Sequence, residues 1–169
     1  MSLPAFMSIK GALQGDITQN AGNISSIGGK SREDHLHEII VQGFEHDILT
    51  PINTHIGAPA GKRVHKPLKI LKQFDGTTPL LLSALCTNEK LTATVKWYRI
   101  SFTGKEEHFF TVELEGAICS GLERHMANCL DPSNHFHEPM EWVSFSYKRI
   151  TMTHEGMHTT YVDEWGGHD

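Results

Sequence analysis

Read for the alternation of hydrophobic and polar positions, the chain is a series of strands. The clearest runs from Glu107 to Ile118. His108, Phe110, Val112, Leu114 and Ile118 fall on one face and Glu107, Thr111, Glu113 and Glu115 on the other, the period-two pattern of a half-buried strand. Upstream, Leu91, Ala93, Val95 and Trp97 share a face, after which the apolar positions change parity to Tyr98, Ile100 and Phe102. One extra residue in a strand produces such a slip, so a β-bulge is expected there. Thr103, Gly104 and Lys105 supply the turn, and the two segments form the strongest hairpin in the sequence. Ala5 to Lys10, ended by Gly11, is the first strand, and Arg63 to Phe74 is another, with Val64, Leu68, Ile70 and Phe74 on one side. Met140 to Met152 is the last, with Val143, Phe145 and Tyr147 alternating against Ser144, Ser146 and Lys148.

Between His35 and Leu49 the apolar residues Leu36, Ile40, Phe44 and Ile48 recur every four positions, which a helix and a strand face both permit. The β-branched trio Ile39, Ile40 and Val41 and the interior Gly43 favour a strand, bent near Gly43. One helix is predicted, from Pro79 to about Thr87, with Thr78 as its N-cap, Pro79 at the first position and Leu80 to Leu85 as helix formers. Its apolar residues lie nearly all round, so it needs cover, most simply by plugging the open end of a barrel. Cys86 belongs to this apolar run and is expected to be buried. Gln14 to Arg32 and Thr50 to Gly61 read as long loops; Pro51, Gly57, Pro59 and Gly61 interrupt any ladder in the second.

Hairpin-joined strands, one helix and no alternating strand-helix period predict a mostly β fold: an antiparallel β-barrel with one short α-helix and long connecting loops. There is no internal repeat. At 169 residues the chain is long enough for one substantial core, so residues 1–169 are expected to form one domain, with 154–169 as a less patterned tail.

Composition narrows the function. A formal net charge of -5 leaves no basic surplus to neutralise phosphates, and nucleic acid is not an expected partner. Lys62, Arg63, Lys66, Lys69 and Lys72 cluster, but on an alternating stretch that reads as a solvated strand face. Cys86, Cys119 and Cys129 are odd in number and form no CxxC pair, which fits free thiols in a reducing cytoplasm better than a disulfide framework. The first eleven residues lack the apolar core of a secretory signal, and no window approaches a membrane span. Export would then require a dedicated machine.

The chemistry-bearing candidates are few. Twelve histidines are an enrichment, and His35-x-His37 and His135-x-His137 would each set two imidazoles on one strand face, as a metal site uses. A cupin-like centre would want a carboxylate shortly after the first pair, where Val41 and Gln42 stand instead. His125, Met126 and Cys129 extend the second pair toward a soft metal site. There is no G-x-S-x-G elbow, and Gly28-Gly29-Lys30-Ser31 lacks the leading glycine of a phosphate loop. No cofactor is expected, and no enzyme activity.

Several phrases, taken in order, resemble one family. Met7-Ser8-Ile9-Lys10-Gly11, Gln14-Gly15-Asp16-Ile17-Thr18, Glu38 to Phe44, Gly61 to Leu68, Pro79-Leu80-Leu81, Lys96-Trp97-Tyr98-Arg99 and Glu107-His108-Phe109-Phe110 are similar to the hemolysin-coregulated proteins (Hcp) of bacterial type VI secretion. The likeness runs from residue 5 to about 150 and weakens past Thr153, a stretch that holds His154, His158 and Trp165. It implies a β-barrel with one helix, subunits that close into hexameric rings, and rings that stack into an inner tube within a contractile sheath. It further implies sheath and spike partners, small effector proteins in the ring lumen, and secretion without a cleaved signal peptide.

On that resemblance the two long loops are expected to make neighbour or ring-to-ring contacts, with Pro51, Asn53, Gly57 and Pro59 in the second, and Lys62 just after it, as inter-subunit candidates. Thr111, Glu113 and Lys148, on polar strand faces, are candidates for the lumen. A metal-binding, cupin-like barrel enzyme and a monomeric β-sandwich binding module stand as the alternatives.

Overall fold

One strand of 20 residues, Glu106–His125, carries the architecture. The computed structural model of the chain describes residues 2–165, so 166–169 of the expected tail lie outside the described residues. In chain order the elements are β1 (Ala5–Gly11), β2 (Gly15–Asp16), α1 (Ile24–Ile27), β3 (Ile39–Val41), β4 (Gly43–Glu45), β5 (Ile48–Leu49), β6 (Ile52–Asn53), β7 (Ala58–Pro59), β8 (Val64–His65), β9 (Leu68–Gln73), α2 (Thr78–Thr87), β10 (Leu91–Ile100), β11 (Glu106–His125), β12 (Met140–Ser146), β13 (Arg149–His154) and β14 (Thr159–Glu164). Short 3-10 turns stand at Gly28–Lys30, Glu33–His35 and Pro132–Asn134.

Ten strands form one antiparallel sheet in the order β2-β1-β10-β11-β12-β9-β4, with β3 beside β1 and the β13–β14 hairpin beside β11. The first half of β11 lies between β10 and β13, and its second half pairs with β12. A kink at Gly116, whose φ is +58, lets one strand serve both halves. The kink also reverses the parity predicted for this strand. Leu114 and then Ala117 and Cys119 enter the core, while Ile118 is only half-buried. The bulge expected after Trp97 is present as a register shift between Trp97 and Tyr98.

The segment expected as one strand bent at Gly43 breaks at Gln42 instead. β3 pairs with β1 and β4 with β9, while the Gln42 N–H donates to the Leu71 carbonyl at 2.8 Å. The main chain changes partner there. Gly43 is needed for close approach: a Cβ on it would lie 2.9 Å from Leu71 Cβ. The fold is mostly β, as predicted, but the ladder of paired strands is not closed into a barrel.

Met7, Ile9, Ile39, Leu68, Ile70, Val95, Leu114, Val143 and Phe145 make the centre of the core. Phe6 faces the other way from Met7 and is buried too, because the His35 ring stacks on it at 3.5 Å between centroids. Helix α2 starts one residue before its predicted Pro79, and Thr77 rather than Thr78 is its N-cap. Only its Leu81 and Ala84 are fully buried. Leu80, Leu82 and Cys86 are exposed, because a ten-residue helix lying on a sheet hides one side only. Cys86 is therefore not the buried thiol; Cys119 is.

The basic cluster divides in the same way. Lys62, Arg63 and Lys66 are exposed, but Lys72 follows Leu68 and Ile70 on the inner face of β9 and is fully buried. Strand parity overrules charge there. Its cross-strand partner on β12 is Glu141, equally buried.

Candidate assembly surface

The chain from Asp47 to Lys66 leaves the sheet as an arm. The stretch read as a loop, Thr50 to Gly61, contains paired strands: β5 pairs with β8, and β6 with β7. Lys66 N–H donates to Asp47 O at 3.0 Å, Ala60 N–H to Pro51 O at 2.8 Å and Gly57 N–H to Asn53 O at 2.8 Å. Gly57 closes the turn with a φ of +66, which explains the glycine. The prolines did not prevent pairing, because Pro59 sits on a two-stranded ribbon with solvent to either side.

Pro51, Asn53, Gly57, Pro59 and Lys62 all lie on this arm and are exposed. So are Ile48, Leu49, Ile52, Ile56 and Val64, with Ile56 at 73 % exposure. A cavity of about 240 Å³ opens at the base, lined by Ile48 and Arg63 of the arm and by Ile150, Met152, Tyr161 and Asp163 of the β13–β14 hairpin. Unpaired aliphatic side chains concentrated on a projecting ribbon are characteristic of a surface that another protein covers.

The arm is held at its neck by residues the sequence reading did not select. His46 Nε2 lies 2.8 Å and His65 Nδ1 2.6 Å from the Tyr147 hydroxyl. His65 Nε2 lies 2.7 Å from Asp163 Oδ2, and Arg63 holds the same carboxylate with both Nε and Nη2. The indole of Trp165 stacks on His65 with centroids 5.4 Å apart. Burial, then the neighbouring His65, press the His46 pKa down, against a smaller upward pull from Asp47. The Tyr147 hydroxyl is pushed well above its usual range by burial and by Asp163. The positions 46, 65, 147 and 163 carry no spacing signal. The only hint was Tyr147 itself, a phenol at an inward strand parity that needs a polar partner.

The histidine pairs do not make the predicted geometry. His35 ends a 3-10 turn, not a strand, with its Nδ1 2.6 Å from Glu38, while His37 is exposed and accepts the Asn20 N–H. His135 and His137 are exposed around the 3-10 turn at Pro132–Asn134, so neither pair shares a strand face. His125, Met126 and Cys129 are exposed as well. Among the described residues no group of three or more His, Cys, Asp and Glu side chains is arranged to hold a metal ion. Of the lumen candidates, Glu113 and Lys148 are exposed. Thr111 is buried, its hydroxyl donating to Glu155 Oε1 at 2.6 Å.

The likeness to known proteins covers nearly the whole chain. The profile of the family described as "Type VI secretion system effector, Hcp" matches residues 6–154. A Pseudomonas aeruginosa protein named "Major exported protein" is 44% identical over 166 residues, spanning 98% of this chain and 96% of the relative. Among solved structures, one described as "Crystal structure of Hcp protein" superposes with a TM-score of 0.93 at 37% identity, covering 98% of this chain and 99% of that one. The secreted protein Hcp3 from Pseudomonas aeruginosa superposes with a TM-score of 0.82 at 38% identity, covering 96% and 100%.

Proposed function

This chain belongs to the Hcp family of type VI secretion proteins, and from that membership we propose that it is a structural, non-enzymatic subunit of the secretion tube. It folds as one domain in the cytoplasm of a bacterium, closes into hexameric rings, and leaves the cell without a cleaved signal peptide. Stacked rings form the inner tube, with sheath and spike proteins as partners and small effector proteins in the lumen. Export is consistent with the name of the Pseudomonas relative, and no helix among the described residues is long and apolar enough to cross a membrane. A barrel-like subunit is supported by the main chain around Gln42, which pairs with β1 before it and with β9 after it.

The observation that carries the reading is the arm. A head-to-tail ring needs two different complementary faces on each subunit. A ribbon with exposed Ile48, Leu49, Ile52, Ile56 and Val64 supplies one such face at a cost in solubility that a free monomer has no reason to bear. Sedimentation of the purified protein tests it: the expected particle is about six times the subunit mass, and electron microscopy should image rings with a central hole. Replacing residues 50–61 by a short glycine linker should then abolish ring or tube assembly while leaving the far-ultraviolet spectrum unchanged. Intact assembly after that deletion would remove the arm from the interface.

A further inference from the structure

The neck of the arm is built around a single hydroxyl between two imidazoles, and its proton inventory can be worked out. Asp163 is shared with Arg63 and only accepts, so His65 Nε2 carries the proton that points at it. His65 Nδ1 is then the acceptor for the Tyr147 hydroxyl, and the Tyr147 oxygen accepts from His46 Nε2. With both rings neutral, each contact of the series from His46 to Asp163 has one donor and one acceptor. One additional proton is also tolerated: on His46 Nδ1 it disturbs nothing, and on His65 Nδ1 it reverses the direction of the Tyr147 hydroxyl toward His46. A second proton is different. Both rings then present N–H groups to the Tyr147 oxygen, its own O–H loses its acceptor, and two cations face each other across one atom.

These two histidines stand at the two ends of the arm, two residues before β5 and at the end of β8. We propose that this neck is an acid-sensitive latch: taking up protons on both His46 and His65 frees the arm, from Asp47 to Lys66, from the sheet.

The groups facing the latch support that direction. From the arm come Asp47, whose side chain is mostly exposed, Lys66, 3.9 Å from Asp47, and Arg63, already engaged. From β14 comes Asp163, which is largely buried and holds both Arg63 and His65. Tyr147, Phe44 and Trp165 provide the remaining walls and carry no charge. Asp163 faces His65 Nε2 at 2.7 Å and is shared with the positive Arg63. His46 has only exposed Asp47 to balance a charge and lies against His65 and aromatic rings, so the second proton is the expensive one. The latch is a property of the single chain and stands whether or not the ring reading holds.

Amide hydrogen exchange on the wild-type chain tests it, with rates corrected for intrinsic pH dependence and sedimentation run at each pH. Between about pH 7.5 and about pH 5 the protection of residues 48–65 should fall about tenfold, while β9 and β12 keep theirs. Unchanged arm protection overturns the proposal, as does an equal loss throughout the sheet. His46→Gln keeps an N–H donor to Tyr147 but cannot titrate, and should reduce the pH effect to about twofold or less. A full tenfold effect in that variant would exclude His46 as a sensor. Tyr147→Phe should leave the arm poorly protected at both pH values, and wild-type protection in it would also overturn the latch. Ring dissociation at low pH with a protected arm would place the sensitivity elsewhere and count against it.

Discussion

Lys72 Nζ lies 2.7 Å from Glu141 Oε1 across β9 and β12, with neither side chain exposed to solvent. The ammonium also donates to Thr78 Oγ1 at 3.2 Å and to the Gln73 carbonyl at 2.8 Å, with Asp75 at 3.0 Å. Glu141 accepts from Thr78 at 2.7 Å and from Arg124 at 3.0 Å. The buried charges are thus fully partnered, and they tie the start of α2 to the sheet. An ion pair of this kind adds little over a hydrophobic one but is costly to halve.

Lys72→Met alone should therefore destabilise the fold by about 3–5 kcal/mol, leaving Glu141 buried beside only Thr78 and Arg124. The double variant Lys72→Met, Glu141→Leu should recover much of that loss. Urea unfolding of the three proteins gives the coupling directly. A loss below about 1 kcal/mol in the single variant would mean that water reaches Glu141.

Glu141 also sets an acid limit. Burial by itself would raise its pKa, but the bonds from Lys72, Thr78 and Arg124 outweigh it and hold the carboxyl below its ordinary 4.5. A carboxylate with a lowered native pKa stabilises the fold above its unfolded value, and that contribution is lost as pH falls through the native value. Stability should be flat near neutrality on this account and fall below about pH 4.5. Glu141→Gln should be less stable at neutral pH but show a shallower acid slope, measured by chemical unfolding at several pH values.

Gly22 is fixed by the backbone it touches. A Cβ there would lie 2.2 Å from the His35 carbonyl oxygen, and the Gly22 N–H already donates to Leu36 O at 3.0 Å. No flexible side chain can yield. Gly22→Ala should cost about 1–3 kcal/mol and loosen the segment that stacks His35 on Phe6. Gly29→Ala meets nothing within 4 Å and serves as the control. A shift in melting temperature confined to the first variant is the expected outcome.

The thiols should divide two to one. Cys86 and Cys129 are exposed, whereas burial pushes the Cys119 thiol up to about 11. An aromatic disulfide reagent at neutral pH should titrate two thiols rapidly in the native protein and the third only on unfolding. Cys119→Ser should leave the rapid stoichiometry at two, whereas Cys86→Ser should reduce it to one.

Much of this fold is legible along the chain. Period-two alternation identified β1, β10 and the first half of β11, and the parity change after Trp97 located a bulge, because each of these signals is local. The limits of that reading are local too. Gly116 shows nothing in sequence of the kink that turns β11 from one half of the sheet to the other, since any residue pattern around a glycine is compatible with either register. Lys72 looks solvated by composition and is buried by parity, a conflict that only its pairing with Glu141 resolves. The histidines illustrate the same division. Spacing favoured His35 with His37 and His135 with His137, yet the structure joins His46 to His65 through Tyr147. A shared strand face depends on backbone conformation, which loop residues do not declare, and a contact between positions 46, 65 and 147 exists only after β5, β8 and β12 have docked. The sequence by itself determined a mostly β chain, the helix at Pro79 but not the short α1 within the expected loop Gln14 to Arg32, and a likeness to the Hcp proteins of type VI secretion. Tertiary structure alone decided that the second long loop is a paired arm, and what latches it, because hydrogen bonds between distant segments leave no periodic trace in either one.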